Sequence, residues 1–101
     1  MLPKNRRPTH PGEILRYEFL KPLNLTQQQL AGSIGLTRLR INELILGKRS
    51  LTPDTAFRLA KFFNTTPDFW MGLQTNVDMW DTLQASKKEY ERISPIKRKV
   101  A

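Results

Sequence analysis

Three observations predict an all-α fold of five helices. Five Thr- or His-led starts each precede helix-opening residues. No stretch alternates apolar and polar residues with period two. Apolar residues recur at three-to-four spacing between short Gly- and Pro-marked breaks. The first helix opens at Pro11 after Thr9-His10, carries Glu13 in its first turn and sets Ile14, Leu15, Phe19 and Leu20 on one stripe; Lys21-Pro22 ends it. Thr26 caps the second, with Gln29 at the third helical position as a capping box requires, and Gly35 closes it. Thr37 caps a third segment, 38–46, which Gly47 terminates. Thr52-Pro53-Asp54 opens a fourth through Phe63, with Asn64 suited to a left-handed cap. Thr66-Pro67-Asp68 opens a fifth that runs towards Ile93 with an expected break near 74–77. A mobile basic leader is expected over 1–8, a single domain over 9–93 and a mobile basic tail over 94–101.

Composition bounds the chemistry. A chain of 101 residues builds one modest core and no second. Cysteine is absent, which excludes a disulfide framework, a thiolate zinc site and a Cys nucleophile; the single histidine, His10, leaves no His-based metal site or catalytic dyad. His10 itself reads as a capping or packing group. No cofactor is expected and no enzyme activity: the carboxylates Glu13, Glu18, Asp54, Asp68, Asp78 and Asp81 read as helix-start and surface charges. The apolar runs fall short of the roughly 18–20 residues of a membrane span, and the basic start has no apolar stretch behind it as a signal peptide would, so a cytoplasmic protein is expected. The formal charge of +8 favours a polyanionic partner. That surplus sits in residues 1–50 and 77–101, while residues 51–76 are balanced.

The informative stretch is residues 26–47, two short helices separated by Gly35-Leu36, which fits a helix-turn-helix. Ala31 is small where the second helix must cross the first, and Gly35 supplies the left-handed backbone of the turn. Leu30 and Ile34 form the inner stripe of the first helix; Leu36, Ile41 and Leu44 supply the matching inner positions after the turn. The outward residues decide function. A recognition helix presents its N-terminal residues to base edges in the major groove, which makes Thr37, Arg38, Leu39, Asn42 and Glu43, with Gln28 of the preceding helix, candidates for base readout. Arg38 suits guanine, Asn42 or Gln28 suits adenine, and Leu39 suits a thymine methyl; the alternative is an ordinary solvated face. Arg38 and Asn42, four apart, are expected to be exposed on one face opposite Ile41 and Leu44. Phosphate contacts are expected at Gln27 on the positive helix end and at Arg40, Lys48 and Arg49, each equally readable as solvated charge. Arg6 and Arg7 read as an arm or as part of the leader.

With these residues in view, the chain resembles the Xre/Cro-like (lambda repressor-like) helix-turn-helix family and, within it, HigA-type antitoxins, including virulence-associated protein I. The resemblance spans about residues 8–85. It rests on the His10-Pro11-Gly12-Glu13-Ile14-Leu15 opening, on Leu30-Ala31 with Gly35, and on Gly47-Lys48-Arg49-Ser50. It continues through Thr52-Pro53-Asp54-Thr55-Ala56 and Arg58-Leu59-Ala60 to Pro67-Asp68-Phe69-Trp70-Met71-Gly72-Leu73-Gln74. It implies a five-helix DNA-binding domain that dimerises, binds a palindromic operator in double-stranded DNA, represses its own operon and neutralises a HigB-like, mRNA-cleaving toxin. Leu39 and Leu46 depart from the polar residues expected of a base-reading helix, and residues 86–101 lie outside the resemblance.

A homodimer is expected to form largely through the fifth helix, with Leu73, Val77 or Trp80 at the seam, because one helix-turn-helix reads only a few base pairs. Phe57, Phe62, Phe63, Phe69 and Trp70 read as core; Trp80 and Tyr90 either fold back onto the domain or form a partner surface. A stand-alone repressor without a toxin is the alternative function, and a basic RNA-binding or ribosome-associated protein a more remote one.

Overall fold

A computed structural model describes residues 5–97; the leader's residues 1–4 and the tail's residues 98–101 lie outside the described residues. Five helices form in the predicted order, and their starts follow the predicted caps. Helix α1 begins as an α-helix, Pro11–Ile14, and continues as a π-helical stretch, Leu15–Leu20; α2 is Gln27–Ile34, α3 Arg38–Ile45, α4 Pro53–Phe63 and α5 Pro67–Glu91. The Thr26, Thr37, Thr52 and Thr66 hydroxyls accept the backbone N–H three residues on, and Thr26 with Gln29 completes the reciprocal box at 2.9 and 3.0 Å. His10 caps α1 in the same way, its Nδ1 accepting the Gly12 N–H at 2.9 Å. Gly35, Gly47 and Asn64 take the left-handed backbone that ends their helices.

Several expectations are corrected. The first helix is not α throughout, since the Lys21 N–H bonds the Arg16 carbonyl five residues back. Helix α3 ends at Ile45, with Leu46 as its C-cap. Helix α5 does not break near 74–77: Gln74 is buried there and accepts the Leu51 N–H at 2.8 Å while donating to Asp78. Its non-helical residue is Ser86. Arg7 of the leader forms a two-pronged ion pair with Asp81 at 2.9 Å, which ties the segment just before α1 to α5.

The core is one cluster. Leu15 and Leu20 of α1, Leu30, Ala31 and Ile34 of α2, Ile41 and Leu44 of α3, and Ala56 and Leu59 of α4 meet Trp70 of α5. Phe19 stands between Phe63 and Trp70 at centroid distances of 4.8 and 5.0 Å, and the buried indole N–H is satisfied by the Thr65 hydroxyl. The other phenylalanines read as core are not: Phe57 (64% exposed), Phe62 and Phe69 lie on the surface, because the α4–α5 seam closes over Leu59, Ala60 and Trp70 and leaves their face open. Helix α1 meets α3 without a side chain between them. A Cβ on Gly12 would fall on the Leu44 carbonyl oxygen and within 2.9 Å of Ile45 Cα.

That contact reverses the usual sign of a glycine replacement. Gly32→Ala, with nothing near its added methyl, should stabilise α2 by about 0.5–1 kcal/mol in urea titrations. Gly12→Ala should cost at least about 2 kcal/mol, because the clashing atoms are backbone and have no rotamer to move to; equal effects at the two sites would disprove the close approach. His10 gives a second expectation. Burial pushes its pKa down, as does the charge of Arg7, against the opposing carboxylates of Glu13, Asp78 and Asp81. The unfolded chain therefore takes up the proton first, so this contribution is full above about pH 6.5 and is lost as the pH falls through the lowered folded value. His10→Asn, which keeps a capping acceptor and does not titrate, should flatten the fall in melting temperature between pH 7 and 5.

Candidate nucleic-acid interface

Helices α2 and α3 are set against each other by their inner residues. Leu30, Ala31, Ile34, Ile41 and Leu44 are buried and Leu36 is half-buried, all as the motif requires. Two bonds fix the turn. The Leu36 N–H donates to the Ala31 carbonyl at 3.1 Å, and Arg58 of α4 reaches across to donate to the Ile34 carbonyl at 2.7 Å. Gly35 at φ 74° has the left-handed backbone that favours glycine, and an added Cβ would stand 3.1 Å from that guanidinium, which would have to shift slightly. Arg58 also pairs with Asp54 at 2.9 Å. Sequence reasoning missed Arg58 and Gln74 as fastening groups; both lie within the resembling stretch, which was their only signal.

The outward residues of α3 separate by what they already hold. Arg38 and Leu39 are exposed, Leu39 at 67%, and among the described residues Arg38 has no side-chain hydrogen bond or ion pair. They line a shallow surface concavity with Asn42. Asn42 is half-buried rather than exposed: it donates to the Gln27 side chain at 3.2 Å, which couples the start of α2 to the middle of α3. The Thr37 hydroxyl is committed to the cap, accepting the Arg40 N–H. Glu43 is half-buried and pairs with Arg49 at 3.0 Å, so Arg49 has a partner while the neighbouring Lys48 is exposed and unpaired among the described residues. Gln28 is exposed and Arg40 half-buried.

The expected dimer residues also separate. Val77 is 1% exposed within its own chain and has no surface to offer, whereas Leu73 and Trp80 are half-buried. Beyond them Met79, Leu83 and Tyr90 lie exposed along α5. No group of three or more His, Asp or Glu residues is placed to hold a metal among the described residues, and no described helix is long and apolar enough to cross a membrane.

This arrangement has close relatives. The helix-turn-helix family HTH_3 matches residues 17–70. The chain is 50% identical over 76 residues to an uncharacterised HTH-type transcriptional regulator, YbaQ, of Escherichia coli K12, covering 75% of this chain and 67% of that one. It is 38% identical over 91 residues to the antitoxin HigA-1 of Vibrio cholerae, covering 90% and 86% respectively. Among solved structures, the Pseudomonas aeruginosa antitoxin HigA with higBA promoter superposes with a TM-score of 0.85 at 34% identity, over 90% of this chain and all of that one.

Two arginines test the division between fastening and free groups. Arg58→Ala strips a bond from the Ile34 carbonyl and should lower unfolding stability by about 1–2 kcal/mol. Arg38→Ala should stay within about 0.5 kcal/mol of the parent chain. A comparable loss at Arg38 would show that it serves the fold.

Proposed function

The chain belongs to the HTH_3 helix-turn-helix family, a family of regulators rather than enzymes, and from that premise we propose that it is a DNA-binding antitoxin. In this reading it pairs as a homodimer on a palindromic operator, represses its own operon and neutralises a HigB-like toxin. The observation that carries the DNA reading is the first turn of α3. Arg38 and Leu39 project there without a partner of their own, beside Asn42, on a helix held by backbone-level packing. Such a turn suits insertion into the major groove, with Arg38 reading guanine, Leu39 meeting a thymine methyl and Asn42, braced by Gln27, reading an adjacent base. Gln28, Thr37 and Glu43 border the same groove. Gln27, Arg40, Lys48 and Arg49 serve the phosphates, with Arg49 held in place by Glu43.

Two copies are needed to span half-sites about 34–36 Å apart. The exposed residues of α5, with Leu73 and Trp80 at its base, are the proposed seam; Val77 supports it from inside. The antitoxin half of the reading is supported by the names of the relatives. YbaQ, at 50% identity, is described as a transcriptional regulator, which accords with a second reading as a repressor without a toxin. The reading frame beside this gene, tested for growth arrest that this chain relieves, separates the two.

For DNA, the duplex upstream of the chain's own reading frame is the probe. Arg38→Ala and Asn42→Ala should each lower specific affinity on the order of tenfold or more per dimer and leave binding to random DNA nearly unchanged. Light scattering should give a dimer at micromolar concentration. Parent-like operator affinity in both variants would overturn the readout assignment, and a monomer bound to one half-site would overturn the dimer.

A further inference from the structure

The π-helical end of α1 carries a cluster that the readout scheme does not use. Arg16 and Lys21 are five residues apart, which an α-helix would separate by about 140° around its axis. The π winding, closed by the Lys21 N–H to Arg16 carbonyl bond at 3.0 Å, instead stacks them on one side. Both cations lie over the exposed ring of Tyr17, the Arg16 guanidinium at 5.2 Å and the Lys21 ammonium at 5.3 Å from its centroid. The other arginines with side-chain partners, Arg7, Arg49 and Arg58, meet carboxylates; Arg16 and Lys21 have none among the described residues. Two like charges are thus brought to one aromatic ring with no ion-paired carboxylate among the described residues. They also line a groove of about 350 Å³ together with Asn24, Thr26 and Gln27. Ile45 of α3 lines the groove as well, and Gln27 holds Asn42, so the groove adjoins the recognition helix.

We propose that Arg16 and Lys21, positioned by Tyr17, form a further phosphate-binding site that grips the DNA backbone flanking the bases faced by α3. The proposal rests on the DNA-binding reading above. A phosphodiester supplies the missing anion, and its position outside the groove floor makes the contact indifferent to sequence. The π turn then has a use: it converts two residues that an α-helix would splay into a clamp. Tyr17 is a positioning residue that holds the two heads together.

The test is fluorescence anisotropy with a random-sequence DNA duplex of about three helical turns across a salt series, since the contact needs no operator. Arg16→Gln with Lys21→Gln should reduce the slope of log affinity against log salt by about two per subunit and weaken binding on the order of tenfold at physiological salt. Arg16→Lys with Lys21→Arg, which keeps both charges, should restore the slope. Tyr17→Leu should weaken binding while leaving thermal unfolding and the number of charges unchanged. Single Gln variants replace the double one should it not fold. If the parent binds the duplex and the Gln variants keep its slope, this contact is overturned and the DNA reading stands. If the parent binds neither this duplex nor its own upstream DNA, both are overturned.

Discussion

The recognition helix sits where it does because two backbones touch. Gly12 brings α1 against the carbonyl of Leu44 and the Cα of Ile45 at the far end of α3 from Arg38. A contact between backbones has no rotamers to absorb error, so it sets the depth and tilt of α3 more tightly than packing between long side chains would. The neighbouring groups conform to it. His10 holds the first turn of α1 through the very N–H of Gly12, and Pro11 fixes the entry dihedral. Gly47 takes its left-handed turn immediately beyond the contact, with His10 4.0 Å from where its Cβ would stand. At the opposite end the α2–α3 turn is fastened by Arg58 on the Ile34 carbonyl. Helix α3 is thus held at its end by a backbone contact and at its start by a side chain fastened to the preceding turn, while Arg38 and Leu39 are left uncommitted.

That arrangement also sorts the charges. A chain with +8 formal charge has cations to spare, but those near the fold's joints are spoken for: Arg58 by Asp54 and Ile34, Arg7 by Asp81, Arg49 by Glu43. Exposed ion pairs of this kind add little stability. Their effect here is directional, since a paired guanidinium is oriented and half-neutralised while an unpaired one is available. Among the described residues Arg38, Lys48, Arg16 and Lys21 are available on α1 and on the α2–α3 unit or its exit, as are Lys61 of α4 and Lys87 and Lys88 of α5.

Local chemistry was legible in the sequence because capping involves residues within three positions of each other. Thr26 with Gln29, Thr37, Thr52 and Thr66 could be read directly, as could the left-handed Gly35, Gly47 and Asn64. The inner stripe of the helix-turn-helix was legible for the same reason, its periodicity being local. What failed depends on neighbours distant in sequence or on winding. The π stretch keeps Leu15, Phe19 and Leu20 turned inward much as an α-helix would, so apolar spacing does not betray it. Asn42 was read as exposed because its partner Gln27 is fifteen residues away. Phe57, Phe62 and Phe69 were read as core from hydrophobicity alone, yet α4 has more apolar faces than α2 and α5 can cover. Val77 was expected at a seam and is instead buried in its own chain, since position on α5 does not reveal which residues the chain itself covers.

The excess of aromatic surface follows from size. A chain this short has too little interior to enclose five phenylalanines and two tryptophans, and Phe19, Phe63 and Trp70 already fill the space where α1, α4 and α5 meet. The remaining large apolar side chains are displaced onto α4 and along α5. Helix α5, at 25 residues about 37 Å long, extends well past the last buried residue it contributes, Val77. Exposed rings and unpaired cations overlap only in part along the chain. Arg16, Lys21 and Arg38 lie on α1 and α3, the exposed rings of Phe57, Phe62 and Phe69 on α4 and α5, although α4 and α5 also carry the exposed Lys61, Lys87 and Lys88. A polyanion gains from the cations and an apolar protein surface from the rings, so the two kinds of partner would not compete for the same side chains. The placement of the rings follows from helix packing, which needs the interior aromatics at the α4–α5 seam and small residues, Ala31 and Gly12, where α3 is gripped.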